Sequence, residues 1–282
     1  VGFTLLGTVV EAVSGVPYAE YLDQTLLQPM GMRQSAISHS PPLATKAYRR
    51  GREVEEPLLS DEPAGGLNSS VADLSRFLSM VFAQGQSHGR QVLKPEILTA
   101  MLRPQNTEQP LDLNFHVGLG WALSALSRHT IENAGTVAHH GGATIFHRAQ
   151  LIALPEQKLG VVVLANSESA GQVVGKIAAE TLKLALEVKT GIQHPPPPTV
   201  SASETPLAPG AAQGYAGTYT TLVGLVTIAA DGSRLTAKIM GKSLRLFPRT
   251  DGQLGAKYLL FGLIPIHLDE LETVGLSCRS VA

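Results

Sequence analysis

Val137-Ala-His-His-Gly-Gly-Ala-Thr144 sets two histidines and two glycines between apolar runs. Upstream lies Gly118-Leu-Gly-Trp-Ala-Leu123, and downstream lie Ile145–Leu154 and Leu159–Ala165. Both downstream runs read as buried strands, separated by the turn Pro155-Glu-Gln-Lys158. Side chains alternate along a strand, so His139 and His140 point to opposite faces and are poorly placed to share a metal. Glycine beside a strand lets a ligand or another backbone come close. A histidine there can donate a hydrogen bond or a proton near neutral pH. A glycine turn carrying two incidental histidines fits the same spacing, and spacing alone leaves both readings open.

Working outward, Phe3, Leu6, Val9, Val10 and Val13 predict a helix over Gly2–Ser14, stopped at Gly15. Tyr18–Leu27 predicts a second helix, ended by Pro29 and Gly31. Residues 38–59 have no clear period and carry the charge cluster Arg49-Arg-Gly-Arg-Glu-Val-Glu-Glu56; a loop this long in a compact domain is often functional or mobile, but the charge pattern favours a solvated excursion. Ser70 and Asp73 resemble a capping box before a helix of about 13 residues with the stripe Leu74, Phe77, Leu78, Val81 and Phe82. Pro95 starts a short helix, and residues 167–188 form a long one. Neighbouring strands with helices before and after predict an α+β fold, a mainly antiparallel sheet flanked by helices.

The texture changes after His194-Pro-Pro-Pro-Pro198, where the prolines favour a stiff connection. Tyr215–Tyr219, Leu225–Ile228, Leu235–Ile239, Leu244–Phe247 and Tyr258–Phe261 are short strand candidates, with Asp231-Gly232 and Asp251-Gly252 as hairpin turns. They predict a small all-β domain.

A 282-residue chain that is 44% hydrophobic and 16% charged can fill a sizeable core, so disorder is excluded. A formal net charge of −1 gives no electrostatic reason to capture nucleic acid or an anionic membrane. The single Cys278 excludes a disulfide framework and a thiolate metal cluster. No run reaches the roughly 18 apolar residues of a membrane span. No cofactor and no metal are expected. The chain opens at Val1 inside an apparent helix and ends at Ser280-Val-Ala282 without a cap, which suggests a piece of a longer protein.

Four catalytic or binding signatures are missing. The 282 residues contain no Ser-x-x-Lys, no Tyr-x-Asn, no His-Glu-x-x-His and no P-loop. No strand-to-helix nucleophile elbow is expected either. Lys189-Thr-Gly191 spells a signature of penicillin-recognising enzymes, but it ends a helix before a proline run and reads as a helix C-cap.

Five pieces in order carry a resemblance: Gly2-Phe-Thr-Leu-Leu-Gly7, Ala64-Gly-Gly-Leu-Asn-Ser-Ser-x-x-Asp73, Gly118-x-Gly-Trp121, His140-Gly-Gly142 and Leu154-Pro-Glu156 through Val161-Val-Val-Leu-Ala-Asn166. Together they resemble the β-lactamase-related serine hydrolases, which include class C β-lactamases, D-alanyl-D-alanine carboxypeptidases, D-aminopeptidases and β-lactamase-like esterases. The resemblance covers about residues 1–187. Tyr215-x-Gly-x-Tyr219 resembles the opening of the lipocalin-like β domain that some members carry. It implies a partial β-lactamase/transpeptidase-like domain over residues 1–188, a proline-rich linker over 189–209 and a small β-barrel-like domain over 210–282.

The resemblance also implies a small-molecule or peptide substrate as partner, and a mechanism. A serine of Ser-x-x-Lys attacks a carbonyl and forms an acyl-enzyme, with the lysine and the tyrosine of Tyr-x-Asn moving the proton. Both motifs would precede Val1. By the same match His140 is catalytic, contacting the substrate carboxylate or the proton relay. Gly141 and Gly142 let the acyl group lie along the strand, and the Ala143 N–H supplies half of the oxyanion hole. An inactive relative that binds a peptide, cell-wall fragment or protein is the alternative.

Limited proteolysis is expected to cut first within residues 191–209, where no apolar period holds the chain. First cuts within residues 118–166 would refute that boundary.

Overall fold

The computed structural model describes residues 2–38, 44–107, 116–123, 131–194, 207, 210–221, 224–249, 253–260 and 264–266. These fall into two compact units, the first ending at His194. In the first unit, α1 spans Gly2–Ser14 and α2 spans Tyr18–Leu22, which widens into a π-type turn over Asp23–Leu27. Helix α3 spans Val71–Phe82 and α4 spans Pro95–Met101, with Pro95 in its first turn. Three strands follow: β1 (Ala138–Ala143), β2 (Arg148–Leu154) and β3 (Leu159–Ala165). Helix α5 (Gly171–Thr190) closes the unit.

The three strands form an antiparallel sheet in sequence order, with His140 opposite Leu151 and Ile152 opposite Val161. Alternation divides their side chains between two cores. Ala138, Leu151, Ala153 and Val162 face Leu78 and Val81 of α3 and Trp121. Ile152, Leu154, Val161 and Val163 face Ala178, Leu182 and Leu186 of α5. Phe77 stacks on Trp121 with ring centroids 6.0 Å apart. At Gly160 a Cβ would lie 2.8 Å from Leu78 Cδ1, so the missing side chain is what lets α3 settle on β3.

Ser70 caps α3 as its spacing predicts, accepting the Asp73 N–H at 3.2 Å. The carboxylate of Asp73 does not complete the box. It is buried and accepts from the Gln34 N–H (2.7 Å), the Ser35 hydroxyl (2.8 Å) and Arg76 Nη1 (2.6 Å). Asp73 thereby ties the segment after the π-type turn to the start of α3.

Within the excursion, residues 46–54 form a docked element rather than a solvated loop. Ala47–Arg49 and Arg52–Val54 pair as a hairpin. The Tyr48 N–H donates to Asn166 O at 2.9 Å, and Asn166 Nδ2 donates to Lys46 O at 2.8 Å. Arg49 pairs with Glu168 at 3.2 Å.

Helix α5 ends where Gly191 takes a left-handed conformation (φ 76°), its N–H on Glu187 O at 2.8 Å. Lys189-Thr-Gly191 is therefore a helix terminus and lies on no strand edge. Most of the expected linker, residues 195–206 and 208–209, lies outside the described residues.

In the second unit, a short 3-10 turn over Ala211–Tyr215 precedes β4 (Gly217–Thr221), β5 (Gly224–Asp231), β6 (Arg234–Ile239), β7 (Lys242–Pro248), β8 (Leu254–Leu260) and β9 (Ile264–Ile266). They pair antiparallel in sequence order as one meander. Its core gathers Ala212, Leu235, Ala237, Leu246, Leu254 and Ala256. Gly232 turns the β5–β6 hairpin with φ 59°, while Asp251-Gly252 lies outside the described residues.

Asp73→Ala leaves the Ser35 hydroxyl and the Gln34 N–H without their buried acceptor. A loss of about 3 kcal/mol in chemical denaturation is expected. A loss within 0.5 kcal/mol or so, the range of an ordinary surface change, would show the network to be dispensable.

Candidate active site

Strand β1 is an edge strand whose outer side is engaged only at its start among the described residues. The Ala122 N–H donates to His139 O and the His139 N–H donates to Ala122 O, each at 2.9 Å. Main-chain groups alternate in an antiparallel strand. The N–H and C=O of Gly141 and Ala143 therefore point to the same outer edge, while His140 and Gly142 pair inward with Leu151 and Ala149. Beyond His139, no described strand pairs with that edge.

The two histidines project from opposite faces. His139 is half-buried on the face that α5 covers, and His140 is exposed on the face of Ala138 and Gly142. The row from His140 to Ala143 is exposed throughout. Beneath it Gln150 is buried and donates through Nε2 to His140 O at 3.2 Å and Leu151 O at 3.3 Å. A Cβ on Gly141 would lie 3.6 Å from Gln150 Oε1, so the amide fills the space the glycine leaves. A Cβ on Gly142 would lie 3.3 Å from Ala149 Cβ, which is close contact on the histidine face.

The turn after Ala143 is held by a residue that the sequence reading left in the charge cluster. Glu56 accepts the Ile145 N–H at 3.0 Å, the Phe146 N–H at 3.1 Å and His147 Nδ1 at 2.9 Å. Within the turn the Thr144 N–H donates to His147 O (3.1 Å) and the His147 N–H to Thr144 Oγ1 (3.0 Å). Arg148 Nη1 donates to Thr144 O at 2.6 Å and His147 O at 2.7 Å. Burial works to raise the Glu56 pKa, but hydrogen bonds from His147, Thr144, Phe146 and Ile145 outweigh it and hold the carboxyl below its ordinary value. Glu56 is 89 to 91 positions from its partners, so no local pattern could have paired them.

Gly85-Gln-Ser-His-Gly89 carries the Gly-x-Ser-x-Gly spacing of a nucleophile elbow. Here it follows α3 and forms a hairpin tip, with Ser87 opposite Arg90 and positive φ at His88 and Gly89. An elbow needs a strand before it and a helix after it, so this serine is not presented as a nucleophile. Among the described residues no group of three or more His, Cys, Asp or Glu side chains could hold a metal ion.

The family model described as Beta-lactamase matches residues 1–186. The chain belongs to the beta-lactamase family. It is 24% identical over 225 residues to the human protein named Serine beta-lactamase-like protein LACTB, mitochondrial, covering 66% of this chain and 39% of that protein. The mouse protein of the same name is 25% identical over 226 residues, with the same coverage. The chain thus spans well under half the length of these relatives.

Among solved structures, the octameric penicillin-binding protein homologue from Pyrococcus abyssi aligns at TM-score 0.57 and 23% identity, over 93% of this chain and 58% of that one. SurE aligns at TM-score 0.60 and 24% identity, over 94% of this chain and 61% of that one. SurE has also been solved with D-Leu. At these identities the likeness establishes a shared fold.

The sign of the Glu56 contribution follows from its lowered pKa. Stability from this contact is fully present above the ordinary glutamate pKa and is lost as pH falls through the folded value. Amide exchange at residues 144–147 should therefore rise on acidification, beyond the intrinsic pH trend of exchange. Glu56→Gln should remove that excess dependence. Identical profiles in both proteins would dissociate Glu56 from the turn.

Proposed function

We propose that this chain is the substrate-strand portion of a serine hydrolase that forms an acyl-enzyme on a β-lactam, peptide or ester carbonyl. The observation that carries the reading is the open edge of β1, where an exposed His140 precedes two glycines and the Ala143 N–H points outward. A carbonyl substrate lying along that edge meets main-chain donors and acceptors without a side chain to block it. In this reading the Ala143 N–H is half of an oxyanion hole, a fixed donor where negative charge develops. Gly141 and Gly142 seat the acyl group. His140 contacts the substrate carboxylate or supports the proton relay through its ring nitrogens. Small esters and D-amino-acid amides, which lack a strong carboxylate anchor, should then be served better than cephalosporins.

The nucleophile comes from sequence outside these 282 residues, since Ser-x-x-Lys and Tyr-x-Asn occur nowhere within them. That same absence does not separate this reading from its alternative, a catalytically inactive protein that binds a peptide, cell-wall fragment or protein partner. The two part on the parent sequence, where both motifs together mean an enzyme.

The isolated chain should not turn over nitrocefin or a D-amino-acid amide. In the parent protein, His140→Ala should lower kcat/KM by roughly ten- to a thousandfold. Gly142→Val should do comparable damage by crowding the strand edge, with thermal melts confirming the fold. Unchanged kinetics in a folded His140→Ala variant would remove His140 from the mechanism.

A further inference from the structure

The contacts around Glu56 reach one residue further than the turn they hold. His147 Nδ1 lies 2.9 Å from Glu56 Oε2, and His147 Nε2 lies 3.2 Å from Thr45 Oγ1. Hydroxyl, imidazole and carboxylate stand in line. Their proton arrangement follows from the carboxylate. Glu56 is held ionised by the hydrogen bonds that outweigh its burial, and an ionised carboxylate only accepts. Nδ1 must carry the proton and donate it. A neutral His147 then turns its lone pair at Nε2 toward Thr45, whose hydroxyl donates into it. A base in reach of a hydroxyl and itself oriented by a third group is the general signature of an activated nucleophile.

Access and orientation support the same reading. Thr45 is exposed, and the His147 side chain is 32% exposed. The ring is fixed from several sides, because Glu56 also binds the main chain of the turn that carries it. The neighbouring amine is a poor competitor. Lys46 donates a hydrogen bond to Glu53, which, reinforced by the carboxylate's charge, raises the pKa of Lys46 and keeps it an ammonium.

We propose that Thr45, His147 and Glu56 form a reactive centre of their own, at which Thr45 is acylated by activated acyl donors of the ester or thioester class. Thr45 Oγ attacks the carbonyl carbon as its proton passes to His147 Nε2. The tetrahedral adduct collapses with cleavage of the bond to the leaving oxygen or sulfur, which takes the proton from Nε2. The products are a threonyl ester and a free alcohol or thiol, with no oxidant or reductant involved. The nearby N–H groups of Ile145 and Phe146 are already spent on Glu56 and do not stabilise the oxyanion. The reaction is therefore confined to activated donors and stops at one acylation per chain. It does not depend on the serine chemistry proposed for the parent protein.

The test uses the 282-residue chain and p-nitrophenyl acetate, followed by intact mass and peptide mapping. One acetyl group on Thr45 is expected, absent in Thr45→Val and retained in Thr45→Ser. His147→Ala should slow acetylation about a hundredfold. Glu56→Gln should slow it as well, through loss of the fixed ring proton. The Thr45 variants change one exposed side chain, so they decide the matter even if the Glu56 or His147 variants loosen the turn. Acetylation at Lys46 in place of Thr45 would overturn the proposal. So would no acetylation at all, or an unchanged Thr45 rate in a folded His147→Ala chain.

Discussion

The pair of hydrogen bonds between His139 and Ala122 decides what the edge of the sheet can do. Because the main chain alternates, one such exchange fixes the direction of every later group on β1. With His139 turned outward to Ala122, Gly141 and Ala143 must also turn outward, and His140 and Gly142 must pair with β2. Moving the contact by one residue would aim the Ala143 N–H into the sheet and put the other histidine on the open face. The segment around Trp121 is therefore more than core. Trp121 is buried against Phe77, and the residue after it sets the register of the exposed edge.

A strand edge that must stay open also needs its far end fixed. Glu56 supplies that by binding two main-chain N–H groups and one imidazole of the 144–147 turn. A carboxylate suits this position because it accepts several bonds at once and draws its ionisation from them. Asp73 solves a similar problem elsewhere, gathering Gln34, Ser35 and Arg76 around one buried carboxylate. The two differ in exposure. Asp73 is sealed in the core, whereas Glu56 remains partly open to solvent.

Much of the fold is legible because it repeats a local period. The stripe from Leu74 to Phe82, Pro95 at a helix start, and the apolar runs of β2 and β3 each state their element within a dozen residues. The His140–Ala143 stretch has no such period; its strand is bracketed by apolar runs, and its candidate role comes from the resemblance alone. The hairpin at residues 47–54 is not legible, because three-residue strands carry no period and their docking partners, Asn166 and Glu168, are over a hundred positions away. Glu56 escapes notice in the same way. Its residue type fits a solvated charge cluster, and only the fold brings it to the turn. Ser70 and Asp73 show a subtler limit. The cap was readable, but the pull of Gln34 and Ser35 on the Asp73 carboxylate was not, since that competition is tertiary.

Two consecutive glycines in a strand are unfavourable on their own, since each loses more backbone freedom on folding than any other residue. Here the surroundings offset that loss. Gln150 occupies the volume beneath Gly141 and bonds the carbonyl of His140, so the bare strand is supported from the α5 side. The row from His140 to Ala143 stays exposed above this support. A packed strand would have been more stable with β-branched residues at both positions. Glycine at both positions, with a buried amide to prop them, trades that packing for an accessible main chain. A strand that served only to complete the sheet would gain nothing from the exchange, and this supports the proposal that substrate binds along this edge.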